Sequence, residues 1–187
     1  PPGDAIGAAS RIQAEAAGLP WPYWGFCWAG GQVLARHLLD HPEVVAGRRV
    51  LDFGAGGGIE ALAAARAGAA DVWATDTDPA AVVALELNAA LNGLTLRASD
   101  ADVVGRDDLD VDVVLVGDMY YDGDEAARFT AWLRDLHRGG AAVLVGDPGR
   151  GYFDVPGARP LGRHEAHADN DIDGHKTVEA TVYQLTR

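Results

Sequence analysis

The sequence predicts an α/β protein with a mostly parallel sheet that closes in an antiparallel β-hairpin at its C-terminal end. From residue 48 onward, short apolar runs alternate with segments whose apolar residues recur at helical spacing. This alternation is typical of βαβ units, in which successive strands lie parallel in one sheet. Beyond residue 158, apolar and polar residues alternate, which indicates two final strands joined by a turn.

Local signals support the individual elements. Asp78 precedes Pro79, which places a capping acid before a proline suited to the first position of a helix. Asn92 and Gly93 form a turn pair that ends this helix. The predicted elements are helices near 4–17, 31–40, 58–67, 79–91 and 123–137, and strands at 48–53, 71–75, 94–98, 112–117, 141–146, 159–167 and 178–185.

Length and composition predict one domain. A chain of 187 residues with 48% hydrophobic residues has enough apolar material for a single core. Within residues 1–187 we expect an N-terminal helical and aromatic lid region at 1–47 and a Rossmann-like core at 48–187. Two prolines near residue 20 separate the first helix from the aromatic residues that follow.

The charge balance limits the classes of molecule that the chain is expected to bind. Fifteen basic and 28 acidic residues give a formal charge of −13, which disfavours nucleic acid because phosphate contacts need clustered Lys and Arg. The acidic surface suits a cationic partner, and it fits general solubility equally well. The single cysteine, Cys27, cannot form an internal disulfide, and no apolar run approaches the ~18 residues of a membrane span. We therefore expect a cytoplasmic protein without a membrane partner or a secretory signal.

A glycine turn after the first predicted strand indicates a cofactor site. Gly54, Gly56 and Gly58 let the backbone turn tightly and expose its N–H groups at the start of the next helix. A dinucleotide fingerprint would need a third glycine or alanine where Ile59 stands, and the carboxylate of Asp52 would repel phosphate. Asp52 suits the sulfonium and ammonium groups of S-adenosylmethionine. The turn therefore predicts this cofactor and a Rossmann-like S-adenosylmethionine-dependent methyltransferase fold.

Two further acids follow the next strands. Asp76 lies at the end of the second strand, about 20 residues beyond the glycine turn, where an acid accepts hydrogen bonds from ribose hydroxyls. Its alternative role is helix capping, but Asp78 already stands at the cap position. Asp100 follows the third strand and could accept from the adenine amino group, although an ordinary turn aspartate would look the same.

The end of the fourth strand predicts the reacting site. Open α/β sheets place ligands at the carboxyl ends of their strands, where Gly117 would border the cofactor and Asp118 would follow it. A carboxylate can accept a proton or orient the hydrogen of a nucleophile, and aromatic faces such as that of Tyr120 attract cations. The alternative is that Tyr120 packs in the core and Asp118 merely ends the strand.

Aromatic residues also concentrate before the first strand. Trp24 is a candidate contact to substrate, while the indole N–H of Trp28 and the amide of Gln32 could meet the methionine part of the cofactor. A cluster of this kind is more often a packed lid or part of the core.

Several of these segments resemble one family. Trp28-Ala29-Gly30-Gly31-Gln32, the run from Gly117 to Asp122, and Gly146-Asp147-Pro148-Gly149-Arg150 are similar to the electron transfer flavoprotein β-subunit lysine methyltransferases, which are seven-β-strand lysine methyltransferases. The resemblance covers residues 20–187 and suggests a bacterial-type homologue. It implies that Asp118 and Tyr121 form the Asp-x-x-Tyr signature, which acts in catalysis and substrate placement.

The resemblance implies a protein-lysine N-methyltransferase that uses S-adenosylmethionine and acts on the β subunit of electron transfer flavoprotein. Two alternatives stay open: a small-molecule N-methyltransferase for nicotinamide-like amines, and a non-catalytic cofactor-binding interaction module. No metal is expected. The acidic turn at 169–174 opens like a calcium loop, but Ala180 stands where the bidentate glutamate belongs, and His164, His167 and His175 could form only a chance patch.

Overall fold

The computed structural model describes residues 21–168 and 176–186. Its seven strands form one sheet. The strands are β1 Arg49–Phe53, β2 Asp71–Thr75, β3 Arg97–Ser99, β4 Val113–Gly117, β5 Ala142–Asp147, β6 Ala158–His167 and β7 Thr177–Leu185. Their spatial order is β3-β2-β1-β4-β5-β7-β6, in which β1 to β5 run parallel and β7 runs antiparallel to both of its neighbours. The predicted parallel sheet with a terminal antiparallel hairpin is confirmed.

Within the described residues, α-helices connect β1 to β2, β2 to β3 and β4 to β5, and one further α-helix precedes β1. They are α1 Ala29–Asp40, α2 Ile59–Arg66, α3 Pro79–Leu91 and α4 Gly123–Arg138, with short 3-10 helices at Tyr23–Gly25 and Pro42–Val44. The carboxylate of Asp78 caps α3 by accepting from the backbone N–H of Ala80 at 2.8 Å. Asp122 caps α4 in the same way, because it accepts from the N–H groups of Asp124 and Glu125. Both helix starts thus satisfy free backbone donors.

The sheet is covered on both faces. One cluster packs α1 residues such as Leu34 and Leu38 against β1 and β4, while the other packs Phe129 and Leu133 of α4 against the opposite face. The four residues of β4 before Gly117 are all buried, as expected for a parallel strand between two helical layers. The chain leaves β1 toward β2 on one side, whereas β4 lies on the other, so the strand order reverses between β1 and β4. Open α/β sheets bind ligands at this kind of switch point.

One strand starts three residues later than predicted, whereas the other strand boundaries differ by one residue or less. The predicted strand at 94–98 begins only at Arg97, where pairing with Trp73 of β2 starts. Leu94 and Leu96 are half-buried but are not paired with a neighbouring strand. The apolar alternation at 94–98 therefore indicated which residues are buried and not where strand pairing begins. The predicted helix near 4–17 and the polar turn at 169–174 lie outside the described residues.

Candidate cofactor pocket and active site

A cavity of about 1350 Å³ opens at the carboxyl ends of β1 and β4. Its walls come from the glycine turn after β1, the loop after β4 and the aromatic segment before α1. These three regions hold most of the residues that the sequence predicted for cofactor and substrate, and Asp76 in the loop after β2 also lines the cavity. Among those residues, the cavity is lined by Trp24, Trp28, Gly54, Gly56, Gly58, Asp76, Gly117, Asp118 and Tyr121.

The glycine turn has a backbone that other residues could not adopt without strain. Gly54 has φ 71° and Gly58 has φ 87°, both in the left-handed region that favours glycine. A Cβ at Gly58 would lie 2.9 Å from Cδ1 of Leu85, and a Cβ at Gly54 would overlap the Met119 side chain. The turn therefore keeps its backbone close to both α3 and the loop after β4, which leaves the cavity side open.

Asp52 lies beneath this turn rather than in the cavity wall. It is fully buried, and its Oδ2 accepts a hydrogen bond of 2.8 Å from the backbone N–H of Ala61. Within the described part of the chain, its Oδ1 has no hydrogen-bond partner. Burial raises the pKa of Asp52 to about 7, and the charge of Asp76 adds to the effect. Direct contact between Asp52 and a cofactor stays a prediction.

Asp76 borders the cavity, whereas Asp100 does not. Asp76 accepts from the backbone N–H of Gly56 and from that of Asp78, each at 2.9 Å, so it ties the glycine turn to the loop after β2. Each carboxylate oxygen can accept a second hydrogen bond, which leaves the predicted ribose contact possible. Asp100 is exposed and lies outside the lining, so its contact with adenine stays a prediction. The chain turns after β3 so that Asp102 borders the cavity instead.

The aromatic segment contributes Trp24 and Trp28 but not Gln32. The indole N–H of Trp28 donates to the backbone oxygen of Tyr23 at 2.9 Å, so this donor is already used inside the segment. Gln32 lies outside the lining, and its amide donates to the backbone oxygen of His167 at 2.7 Å and accepts from the N–H of His167 at 3.0 Å. Gln32 therefore joins α1 to the end of β6, which corrects the predicted cofactor contact.

Asp118 lies in the cavity wall with both carboxylate oxygens engaged. It is 5% exposed and has φ 57°, a left-handed conformation that is uncommon outside glycine. Oδ2 accepts from the backbone N–H of Gly30 at 2.8 Å, and Oδ1 accepts from Nε of Arg150 at 2.7 Å. The backbone N–H of Asp118 also donates to the oxygen of Gly146 at 2.9 Å. These contacts hold the residue in a strained backbone at the site of the predicted chemistry.

The two neighbouring tyrosines, Tyr120 and Tyr121, lie in different environments. Tyr121 is 59% exposed, lines the cavity and stacks on Tyr23 with ring centroids 6.3 Å apart and planes 8° from parallel. Tyr120 is 1% exposed, packs edge-on against Phe129 and contacts the hydroxyl of Thr130. The predicted contact of Tyr120 with substrate is therefore corrected: this residue belongs to the core on the α4 face of the sheet.

The prediction missed Glu60, which lines the cavity from the first turn of α2. It is 4% exposed, and a Cβ on Gly117 would overlap its carboxyl group. Burial raises the pKa of Glu60 well above its usual range, and the charges of Asp52 and Asp118 raise it further. The sequence did carry a signal for it: Glu60 is a charged residue on the apolar side of an alanine-rich helix, beside Ala61.

Two negative observations apply to the described residues alone. Across 21–168 and 176–186, no group of three or more His, Cys, Asp or Glu side chains is placed to hold a metal ion. No helix within the same ranges is long and apolar enough to cross a membrane.

The strand order, the glycine turn at the switch point and the cavity beside it define a Rossmann-like fold of the S-adenosylmethionine-dependent methyltransferase type. The profile of the family described as Ribosomal protein L11 methyltransferase (PrmA) matches residues 34–117. An electron transfer flavoprotein beta subunit lysine methyltransferase of Xenopus laevis is 43% identical over 170 residues, which cover 88% of this chain and 69% of the relative. This chain belongs to the electron transfer flavoprotein β-subunit lysine methyltransferase family.

Other relatives carry the same name. The Homo sapiens protein is 38% identical over 170 residues, which cover 89% of this chain and 60% of the relative. The Danio rerio protein is 45% identical over 137 residues, which cover 72% of this chain and 53% of the relative. This chain therefore spans between 53% and 69% of the length of these three relatives.

Solved structures of lower identity share the fold. A ribosomal protein L11 methylase of Lactobacillus delbrueckii subsp. bulgaricus superposes with a TM-score of 0.56 at 21% identity, over 83% of this chain and 79% of the other. An RNA methyltransferase of Salinibacter ruber in complex with S-adenosyl-L-homocysteine also gives a TM-score of 0.56 at 21% identity, over 83% and 90% of the two chains. At this level of identity the likeness extends to the fold alone.

Proposed function

We propose that this chain is an S-adenosylmethionine-dependent protein-lysine N-methyltransferase whose substrate is the β subunit of electron transfer flavoprotein. The observation that carries the proposal is the juxtaposition of Asp118 and Tyr121 with the glycine turn in one cavity. The relatives named for this activity supply the substrate class. At about 1350 Å³, the cavity exceeds the ~300–1,000 Å³ of an ordinary ligand pocket, which leaves room for an acceptor beside a cofactor.

The residues present fit the cofactor. The buried Oδ1 of Asp52 has no hydrogen-bond partner within the described residues, and Asp76 and Glu60 add carboxyl groups at the same end of β1. Carboxylates suit a ligand with a sulfonium and an ammonium group, and we expect Asp76 to accept from ribose hydroxyls. When bound, S-adenosylmethionine supplies an electrophilic methyl group.

The chain's own residues would prepare the acceptor. A lysine amine must be neutral to attack, although it is protonated near neutral pH in water. Partial burial favours the neutral amine, and the guanidinium of Arg150 beside Asp118 offsets the carboxylate charge that would otherwise favour the ammonium. Asp118 can accept a hydrogen bond from the amine and orient its lone pair toward the cofactor. The exposed ring of Tyr121 lies at the cavity entrance, where it can contact the lysine side chain.

The test is transfer of a labelled methyl group from S-adenosylmethionine to the purified β subunit, with the modified residue located by mass spectrometry. We expect label on lysine, and a loss of at least ~100-fold in turnover for Asp118→Asn. The exposed Asp124→Asn is the matched control and should retain turnover. Absence of label on the β subunit would contradict the substrate.

The same preparation separates the rival functions. Methylation of nicotinamide-like amines without methylation of the β subunit would indicate a small-molecule enzyme. Binding of S-adenosylhomocysteine without turnover on any acceptor would indicate an interaction module.

A further inference from the structure

The buried carboxyl group of Glu60 lies in the cavity wall and is not one of the acids that the sequence predicted. Glu60 is 4% exposed and lies in the wall between the glycine turn and the loop after β4. A Cβ on Gly31 would lie 2.9 Å from its Oε1, and Gly117 has no space for a Cβ on the other side. The two glycines thus make the room that this carboxyl group fills.

The groups around Glu60 are mostly acidic. The charges of Asp52 on β1 and of Asp118 after β4 both act on Glu60, and Glu60 acts in turn on the thiol of Cys27 in the aromatic segment. Asp118 is paired with Arg150, whereas within the described residues neither Asp52 nor Glu60 is hydrogen-bonded to Lys or Arg. The charge of Asp76 also acts on Asp52.

An independent observation points to a missing partner. Asp52 is completely buried, and its Oδ1 atom has no hydrogen-bond partner among the described residues. Unpaired buried carboxylate oxygens are costly, so such an atom is expected to meet a ligand donor or to hold a proton. Two adjacent buried acids cannot both ionise easily without a cation.

We propose that Glu60 binds the ammonium group of the cofactor's methionine part, and that its carboxyl group releases a proton to solvent on binding. This inference rests on the proposed function, because it names a further contact to the same cofactor. Before binding, the proton keeps the pair of acids from carrying two charges. On binding, the positive charge of the ligand's ammonium group compensates the second carboxylate. Glu60 then releases its proton, which passes to the buffer.

The linkage has a definite sign. The pKa of Asp52 is raised to about 7, so this carboxyl is mostly ionised at pH 8. Burial holds the pKa of Glu60 well above its usual range, and the charges of Asp52 and Asp118 raise it further. Proton release that is lost in a Glu60 variant would report on Glu60, and affinity for the ammonium ligand should fall as the pH is lowered, because protons compete for the same carboxyl groups.

The test is titration calorimetry at pH 8 in buffers of different ionisation enthalpy. S-adenosylhomocysteine carries the ammonium group, and 5′-methylthioadenosine lacks the amino-acid part. We expect the full chain to release protons when it binds S-adenosylhomocysteine and to release none when it binds methylthioadenosine. Glu60→Gln should abolish the release and weaken S-adenosylhomocysteine about 10- to 100-fold, with methylthioadenosine unchanged. Glu86→Gln, on the exposed side of α3, is the matched control.

Unchanged affinity and unchanged proton release in Glu60→Gln would overturn the inference. If that variant does not fold, the unmodified chain still decides: affinity for S-adenosylhomocysteine that is flat between pH 6 and 8 would equally exclude it. Failure of the unmodified chain to bind either ligand would instead contradict the proposed function.

Discussion

Nε of Arg150 lies 2.7 Å from Oδ1 of Asp118, so a guanidinium from the loop after β5 is paired with the acid that follows β4. The side chain of Asp118 is 2% exposed and that of Arg150 is 30% exposed, so the pair lies at the inner end of the cavity. The backbone N–H of Gly30 holds the other carboxylate oxygen. The orientation of the predicted catalytic acid thus depends on α1 and on the loop after β5.

This pairing predicts the pH dependence of turnover. Replacing Arg150 by Gln removes a positive charge beside the acceptor, so the pKa of the lysine amine should rise and the rising limb of the rate profile should move about one pH unit higher. Turnover at pH 7.5 should fall about 10-fold. The measurement is kcat from pH 6 to 10, with Arg159→Gln on β6 as the matched control. An equal loss at every pH would contradict the charge effect.

The two tyrosines after Asp118 should behave differently. Tyr121→Ala removes an exposed ring from the cavity entrance, so KM for the protein acceptor should rise about 10-fold. Its free energy of unfolding should fall by no more than about 1 kcal/mol, because the ring loses only its exposed stacking on Tyr23. Tyr120→Phe loses only the contact with Thr130 and should cost about 1 kcal/mol of stability with KM unchanged. Steady-state kinetics and urea unfolding check both; a raised KM for Tyr120→Phe would restore its predicted substrate role.

The glycine turn predicts a stability difference between two alanine variants. Gly58 and Gly93 both have positive φ, at 87° and 65°, but only Gly58 has Leu85 within reach of a Cβ. Gly93→Ala should cost about 1–2 kcal/mol from backbone strain alone. Gly58→Ala should cost about 2–4 kcal/mol because the clash with α3 is added. Urea unfolding measures both, and equal losses would show that Leu85 moves aside freely.

Asp147 predicts a pH-dependent contribution to stability. Burial raises its pKa to about 6, although the N–H groups of Gly149 and Arg150 partly offset the effect. The folded state therefore keeps a proton that the unfolded state loses, so this group makes the protein less stable as the pH rises through about 4 to 6.

Asp147→Asn removes that titration. Between pH 5 and pH 8, its free energy of unfolding should gain about 1 kcal/mol relative to the unsubstituted chain. The difference is measured by urea unfolding at both pH values, and the exposed Asp154→Asn should show no such gain. A constant difference between Asp147→Asn and the unsubstituted chain would mean that Asp147 is ionised at pH 5.

Local patterns predicted most of the fold. The strand that ends at Phe53, the glycine turn and the capped helix at Pro79 each depend on residues adjacent in the chain, so their signals are readable in order. The start of β3 at Arg97 was not predictable in this way, because it depends on where the neighbouring strand β2 offers pairing partners.

The candidate site likewise has features that the sequence predicts and features that only the tertiary structure fixes. The sequence by itself determined the βαβ units of the sheet, the glycine turn after β1 and the acids at the strand ends, because these features depend on the spacing of residues along the chain. The tertiary structure decided which side chains reach the cavity: Glu60 and Arg150 do, whereas Tyr120, Gln32 and Asp100 do not. Burial and hydrogen-bond partners come from segments far apart in the chain, and adjacent residues such as Tyr120 and Tyr121 point to opposite environments once the helices pack.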